Sequence, residues 1–270
     1  MIYKNKAYYF SSIMPNHFIL LLILLLIFTF FLPINALAQI DKATLNKAID
    51  RAGLQRMLTQ RMLKSYCQLG QDQFYAKPDE VLKNSVTRFE QGLVELKQFN
   101  FVKGVKKSLK HINAIWPNYK MIITAKATKE NTPDLVSFNE KLLALSHKVV
   151  LALTTESGQE SAKIVSISGR QRMLTQRIEL YYLLRDWGFT NEAYIKTLTN
   201  SRKDFSEGLT YLNSYANNTD KIKGLLRKVK TSFTLFEHSL DEKNNAFLVH
   251  LTVGQLLKQM NEATNLYAEM

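Results

Sequence analysis

A chain of 270 residues with 36 lysines and arginines against 23 acids has a formal net charge of +13, a balance that favours anionic partners. Its single cysteine, Cys67, excludes an internal disulfide, a cysteine metal pair and a haem attachment sequence. The length suffices for two modest domains with their own cores.

Residues 1–38 read as a signal peptide. Lys4 and Lys6 supply the basic end, Phe18 to Leu32 an unbroken apolar run, and Pro33 with Ala36-Leu37-Ala38 a small-residue cleavage site before Gln39. The run is short for a bilayer span, and an uncleaved anchor in the inner membrane is the alternative. Either way the rest of the chain is placed outside the cytoplasm, in the periplasm. No cysteine follows the small residues, so a lipid anchor is not indicated. Losing two lysines and no acids leaves a net charge of +11. For an exported protein this points to lipid head groups, acidic polysaccharide or small anions, and not to nucleic acid, although lysine-rich solvated helix faces account for most of the charge.

Scarce glycine and proline then divide the chain into helices. The first spans about 41–69, and Pro78 opens the second. Lys103 to about Lys126 forms the third, in which Pro117 is expected to kink or interrupt the helix. Thr132-Pro133-Asp134 starts the fourth. Residues 154–161 are the one plausible boundary between units, and nothing there forbids a continuous helix. A further four helices follow: one to about Trp187, one capped by Thr190, one after Asp220 and one from Asp241 to the end. No strand pattern competes with these. The segment Phe247 to Leu257 is broken by His250, Thr252 and Gln255 and cannot span a bilayer.

The second half repeats the first. Gln55-Arg56-Met57-Leu58-Thr59-Gln60-Arg61 returns unchanged as Gln171-Arg172-Met173-Leu174-Thr175-Gln176-Arg177, an offset of 116, each with a glycine two residues upstream, Gly53 and Gly169. Phe89 answers to Phe205, and at an offset of 117 Trp116 answers to Phe233, positions best read as core. The expected fold is all-α: two tandem up-and-down four-helix bundles, residues 39–156 and 157–270, following the signal peptide.

On a helical projection Leu54, Leu58 and Met62 share one face, and Ile167, Leu174 and Ile178 share one in the second copy. The opposite face carries Leu45, Ile49, Gly53, Arg56, Gln60 and Cys67, matched by Val165, Gly169, Arg172, Gln176 and Leu183. This is a second apolar seam with a glycine, an arginine and a glutamine set into it. A buried guanidinium needs a carboxylate, an anion or water. If the two seams face each other, an oxyanion between Arg56 and Arg172 would neutralise both, and the glycines would permit close approach. The competing reading is a purely structural polar layer in which each arginine pairs with an acid. At this offset, however, Asp50 faces Ser166, Glu90 faces Ser206 and Glu95 faces Tyr211, so no acid is duplicated.

The Gly-x-x-Arg-Met box with a further arginine resembles the P-box of NarX-type nitrate/nitrite sensors. The Gln-Arg-Met-Leu-Thr-Gln-Arg block resembles the PilJ-type domain, the N-terminal region of type IV pilus chemotaxis transducers, over about residues 40–156 and again 157–268. Both families are periplasmic four-helix sensor modules. By matching positions, the resemblance implies that Gly53 and Arg56, with Gly169 and Arg172, contact a small anion, nitrate or nitrite. Gln60 and Gln176 join them on the seam. Arg61 and Arg177 match the second basic position of the box and point elsewhere on the helix. Arg51, two residues before the first glycine, is replaced by Ile167 in the second copy, which sets the two copies apart.

Enzymatic readings find little support. His111, His147, His238 and His250 stand in no helical metal motif, and no phosphate loop or nucleophile elbow is visible, so neither a catalytic residue, a metal nor a cofactor is expected. Two functions remain: a sensor of a small oxyanion that reports to a membrane-bound receptor or transducer, and a ligand-free adaptor that docks on such a receptor or on pilus-associated machinery. The seam could close within one chain or between two, as a homodimer, and the sequence leaves both open.

Overall fold

Eight α-helices carry the fold in the computed structural model, which describes residues 42–241 and 245–270. They are α1 (Lys42–Gly70), α2 (Pro78–Leu96), α3 (Lys103–Ile123), α4 (Thr132–Ser157), α5 (Glu160–Asp186), α6 (Glu192–Asn213), α7 (Asp220–Asp241) and α8 (Ala246–Ala268). No strand occurs among the described residues, and no helix there is long and apolar enough to cross a membrane. The expected signal peptide, 1–38, lies outside the described residues.

Each repeat contributes four helices, and the two sets meet along α1 and α5, the most extensive helix pair among the described residues. Within the first repeat α1 packs on α2 and α4, and α4 on α3; α5, α6, α7 and α8 repeat this plan. Duplication of sequence is duplication of packing. Phe89 stacks on Trp116 with ring centroids 4.4 Å apart, and Phe205 stacks on Phe233 at 4.3 Å. Because α1 and α5 face both their own repeat and the other one, they are buried all round, as a helix inside a larger core must be. The remaining helices keep one wet face. The described residues consequently form one compact unit.

The boundary expected within residues 154–161 is present, and two other helix starts differ from those predicted. Gly158, at φ +62°, closes α4 in the left-handed region and separates it from α5, so the two helices are not continuous. The cap of α6 is Asn191, whose side chain accepts from the Tyr194 amide at 2.9 Å, in place of Thr190. Asn245 caps α8 in the same way, which starts that helix at Ala246 rather than Asp241. Nor does Pro117 interrupt α3, which runs through it to Ile123. The proline lies on the exposed face, where the carbonyl it cannot bond, that of Asn113, is open to water. Pro117→Ala should restore that bond and stabilise the protein by about 1–2 kcal/mol, less than the full helix-interior penalty because the unfolded chain also loosens. Chemical denaturation of the two proteins checks this.

Candidate functional site

Arg56 and Arg172 converge at the centre of the α1–α5 contact. The two helices run parallel and nearly in register, so the repeats are related by a pseudo-twofold axis along the seam. A Cβ built on Gly53 would lie 3.8 Å from the Gly169 Cα, and one on Gly169 would lie 3.9 Å from the Gly53 Cα. That closeness is what the two glycines supply. Both guanidinium Nη2 atoms come within 3.5 Å of the same points, which places two like charges side by side in the seam. The seam thus closes within one chain.

Each arginine is held by the main chain of the opposite repeat. Arg56 Nη2 donates to the Ser166 carbonyl at 3.0 Å, and Arg172 Nη2 donates to the Asp50 carbonyl at 3.4 Å. Ser166 and Asp50 are equivalent positions, three residues before the opposing glycines. Symmetry ends with the side chains. Arg172 also donates to the Asp50 carboxylate at 2.5 Å, whereas the equivalent residue in front of Arg56 is a serine, and Arg56 meets the His147 ring, Nη1 to Nδ1, at 3.3 Å. The polypeptide therefore supplies an anion to one guanidinium and not to the other.

The electrostatics follow. Arg56, 1% exposed, has its pKa pushed down to about 9 by burial first, then by Arg172 and Arg170, with Asp50 opposing. At neutral pH it is still a cation, held where its charge is disfavoured by both desolvation and its neighbours. Its Nε is buried without a partner, as is that of Arg172. His147 must accept from Arg56 through Nδ1 and so carries its proton on Nε2. Burial, then Arg56 and Arg170, push its pKa down to about 4.

That shift gives a signed expectation. The unfolded chain protonates His147 near its ordinary 6.5 while the folded protein resists until about 4, so stability falls as pH drops through this window. His147→Gln should lose less stability between pH 7 and pH 4.5 than the wild type does. Urea titrations of both proteins at the two pH values measure the difference.

The remaining sequence-predicted residues divide. Gln60 and Gln176 are buried at the seam; Gln60 accepts from Arg177 Nη1 at 3.1 Å, and both amide atoms of Gln176 lack a partner. Arg177 therefore reaches the seam after all, held by Glu140 at 2.6 Å and 3.0 Å. Arg61 has its pKa lowered by burial and by Arg88, with Glu179 opposing, and neither of these neighbours belongs to the arginine pair. Arg51 bonds Glu95 on α2, on a half-exposed surface, and is likewise apart from it.

Beside Arg56 a cleft of about 620 Å³ opens between α4 and α5, lined in part by Arg56, His147, Lys163, Arg170 and Arg177. His147 and Glu140 contribute to it from α4, and sequence reasoning missed both. At the 114-residue offset that superposes the buried Leu135, Leu142 and Val149 on Val249, Leu256 and Ala263, their counterparts are Asn261 and Gly254. A search for duplicated chemistry discards residues that occur once.

A second unduplicated cluster lies further along the same seam. Lys64 Nζ donates to Glu179 Oε2 at 2.9 Å, and His250 Nδ1 lies 2.9 Å from Glu179 Oε1, tying α1, α5 and α8 together. Both Lys64 and Glu179 are buried. Cys67, nearby, is a buried thiol whose pKa burial pushes up, which makes it unreactive. No group of three metal-ligating side chains occurs among the described residues.

Tandem four-helix repeats joined at a buried arginine pair define a helical-bundle module with a polar centre. Residues 37–137 match the family described as Type IV pili methyl-accepting chemotaxis transducer N-term, a family of sensory, non-catalytic domains. The matched stretch takes in α1, α2, α3 and the start of α4, and with them the first Gly-x-x-Arg box. No curated protein and no solved structure matches the chain.

Proposed function

We propose that this protein is a non-catalytic periplasmic sensory module that binds a small oxyanion at the duplicated box and reports to a membrane-bound receptor or transducer. The observation that carries this reading is Arg56: fully buried, beside a second guanidinium, and bonded to a carbonyl and a neutral imidazole but to no carboxylate. An anion there would relieve the charge that burial and Arg172 disfavour, through paired N–H donors. Arg172 already has Asp50, so the first copy, Gly53 and Arg56, is the binding half and the second copy completes its wall. Nitrate and nitrite are the first candidates by resemblance to the P-box sensors. Binding would act on the contact between the two repeats, since neutralising one guanidinium lets α1 and α5 settle against each other. Shifts of about 1–2 Å at helix interfaces are an established means of signalling.

Calorimetry tests this directly. Nitrate or nitrite should give a saturable heat with the wild type, and Arg56→Ala should weaken binding at least about 100-fold, the loss expected for a buried charge-assisted contact of about 3 kcal/mol. Arg172→Ala should weaken it less. A ligand-free adaptor is the second reading, favoured by the exposed apolar side chains Phe74, Tyr75, Phe247 and Leu251, of which Tyr75 and Phe247 meet edge to face. No heat from any small anion would leave that reading standing.

A further inference from the structure

We propose that the anion bound at Arg56 is the head of a larger molecule, an organic monocarboxylate whose apolar body lies in the cleft between α4 and α5. This rests on the oxyanion reading and specifies its ligand. The cleft holds about 620 Å³. Such a volume lies within the range of about 300–1,000 Å³ typical of small-molecule pockets. An inorganic oxyanion of a few atoms, comparable with the roughly 30 Å³ share of a water molecule, would leave it nearly empty.

The lining has the right chemistry for an amphiphile. Leu143, Leu151, Ile167, Met173 and Leu174 form apolar walls, and Leu151 is 48% exposed although it faces a concave surface. Four cations and two carboxylates share the cleft. Arg177 is paired with Glu140 at 2.6 Å and Arg170 with Asp204 at 2.7 Å, which leaves Arg56 and Lys163. Lys163 is exposed and lies over the Tyr211 ring, 5.0 Å from its centroid. Arg56 is the buried cation, and it marks where a carboxylate head would be desolvated and held. A second carboxylate on the same ligand would meet apolar walls, the charges of Glu140 and Asp204, or exposed Lys163, where a solvated ion pair adds little, so one acid group is held and a second gains nothing.

Calorimetry with nitrate, acetate, hexanoate and adipate tests the assignment, on the wild type and on Ala144→Phe. Ala144 is an exposed residue of α4 that lines the cleft, so a larger side chain there fills space without entering the core. Affinity should rise from acetate to hexanoate by up to about fourfold per methylene, the equivalent of about 0.8 kcal/mol each. Hexanoate should bind at least about 50-fold tighter than acetate or nitrate, and adipate more weakly than hexanoate. Ala144→Phe should cost hexanoate about tenfold and leave acetate unchanged, which also shows that the variant is folded. Nitrate or acetate binding as tightly as hexanoate, adipate binding more tightly, or hexanoate indifferent to Ala144→Phe would each overturn this inference while the oxyanion reading stands. Heat from none of the four would overturn both.

Discussion

Replacing Lys64 with methionine is expected to lower the free energy of unfolding by about 3–5 kcal/mol, the usual cost of removing one member of a buried ion pair. The reason lies in what stays behind. Glu179 is 1% exposed, and without Lys64 its second oxygen loses a 2.9 Å charge-assisted bond while the first keeps only half-exposed His250. Burial alone would raise the Glu179 pKa from 4.5, but Lys64 and His250 outweigh it and hold the carboxyl below its ordinary value. A depressed carboxyl stabilises the fold above its unfolded pKa and loses that contribution as pH falls through the folded one. The gap between wild type and Lys64→Met should therefore narrow in acid. Lys64→Met/Glu179→Leu, which removes both charges, should recover most of the loss, because well-packed apolar replacements of buried pairs are often neutral or better. Guanidinium titrations of the three proteins at neutral and acid pH read all of this.

The second large effect is expected from Asp50→Ala. Arg172 would then be, like Arg56, a buried guanidinium without a carboxylate, left with the main-chain carbonyl at position 50. Since the Asp50 side chain is 26% exposed and partly solvated, the cost should be about 2–3 kcal/mol, below that of a fully buried pair. The loss should also be reversible by mass action. An anion at 100 times its dissociation constant stabilises a folded protein by about 2.7 kcal/mol. Adding nitrate or acetate should accordingly raise the melting temperature of Asp50→Ala more than that of the wild type, in which Asp50 already fills that place. An equal rise in both would mean that Asp50 does not occupy an anion position.

The eight helices were legible because Pro78 and Pro133 punctuate the first repeat, polar stretches near residues 190, 220 and 241 punctuate the second, and each copy checks the other. The seam was legible for the same reason: a glycine and an arginine duplicated on an apolar face have few uses. What could not be read was how the two copies differ. The partners shared by Arg56 and Arg172 are the main-chain carbonyls of Ser166 and Asp50, and a carbonyl leaves no mark on residue identity. The comparison of Asp50 with Ser166 showed that no acid recurs, but it could not show that Asp50 reaches across to the other copy's arginine. His147, Glu140 and the Lys64–Glu179–His250 cluster occur once, and they come together only when helices remote in sequence pack. Pro117 does not interrupt α3 because the Asn113 carbonyl, which loses its helical N–H donor, faces water that can donate instead.

The central claim is that Arg56 takes an anion that the chain itself does not provide. Arginine-selective ¹⁵N NMR tests it most directly, with the Arg56 Nε–H resonance assigned by its loss in Arg56→Lys. Titration with acetate or nitrate should move that resonance saturably, and more than any other arginine signal in the spectrum. If every arginine resonance stays in place up to high anion concentration, the guanidinium pair is a structural layer and the sensing account is contradicted.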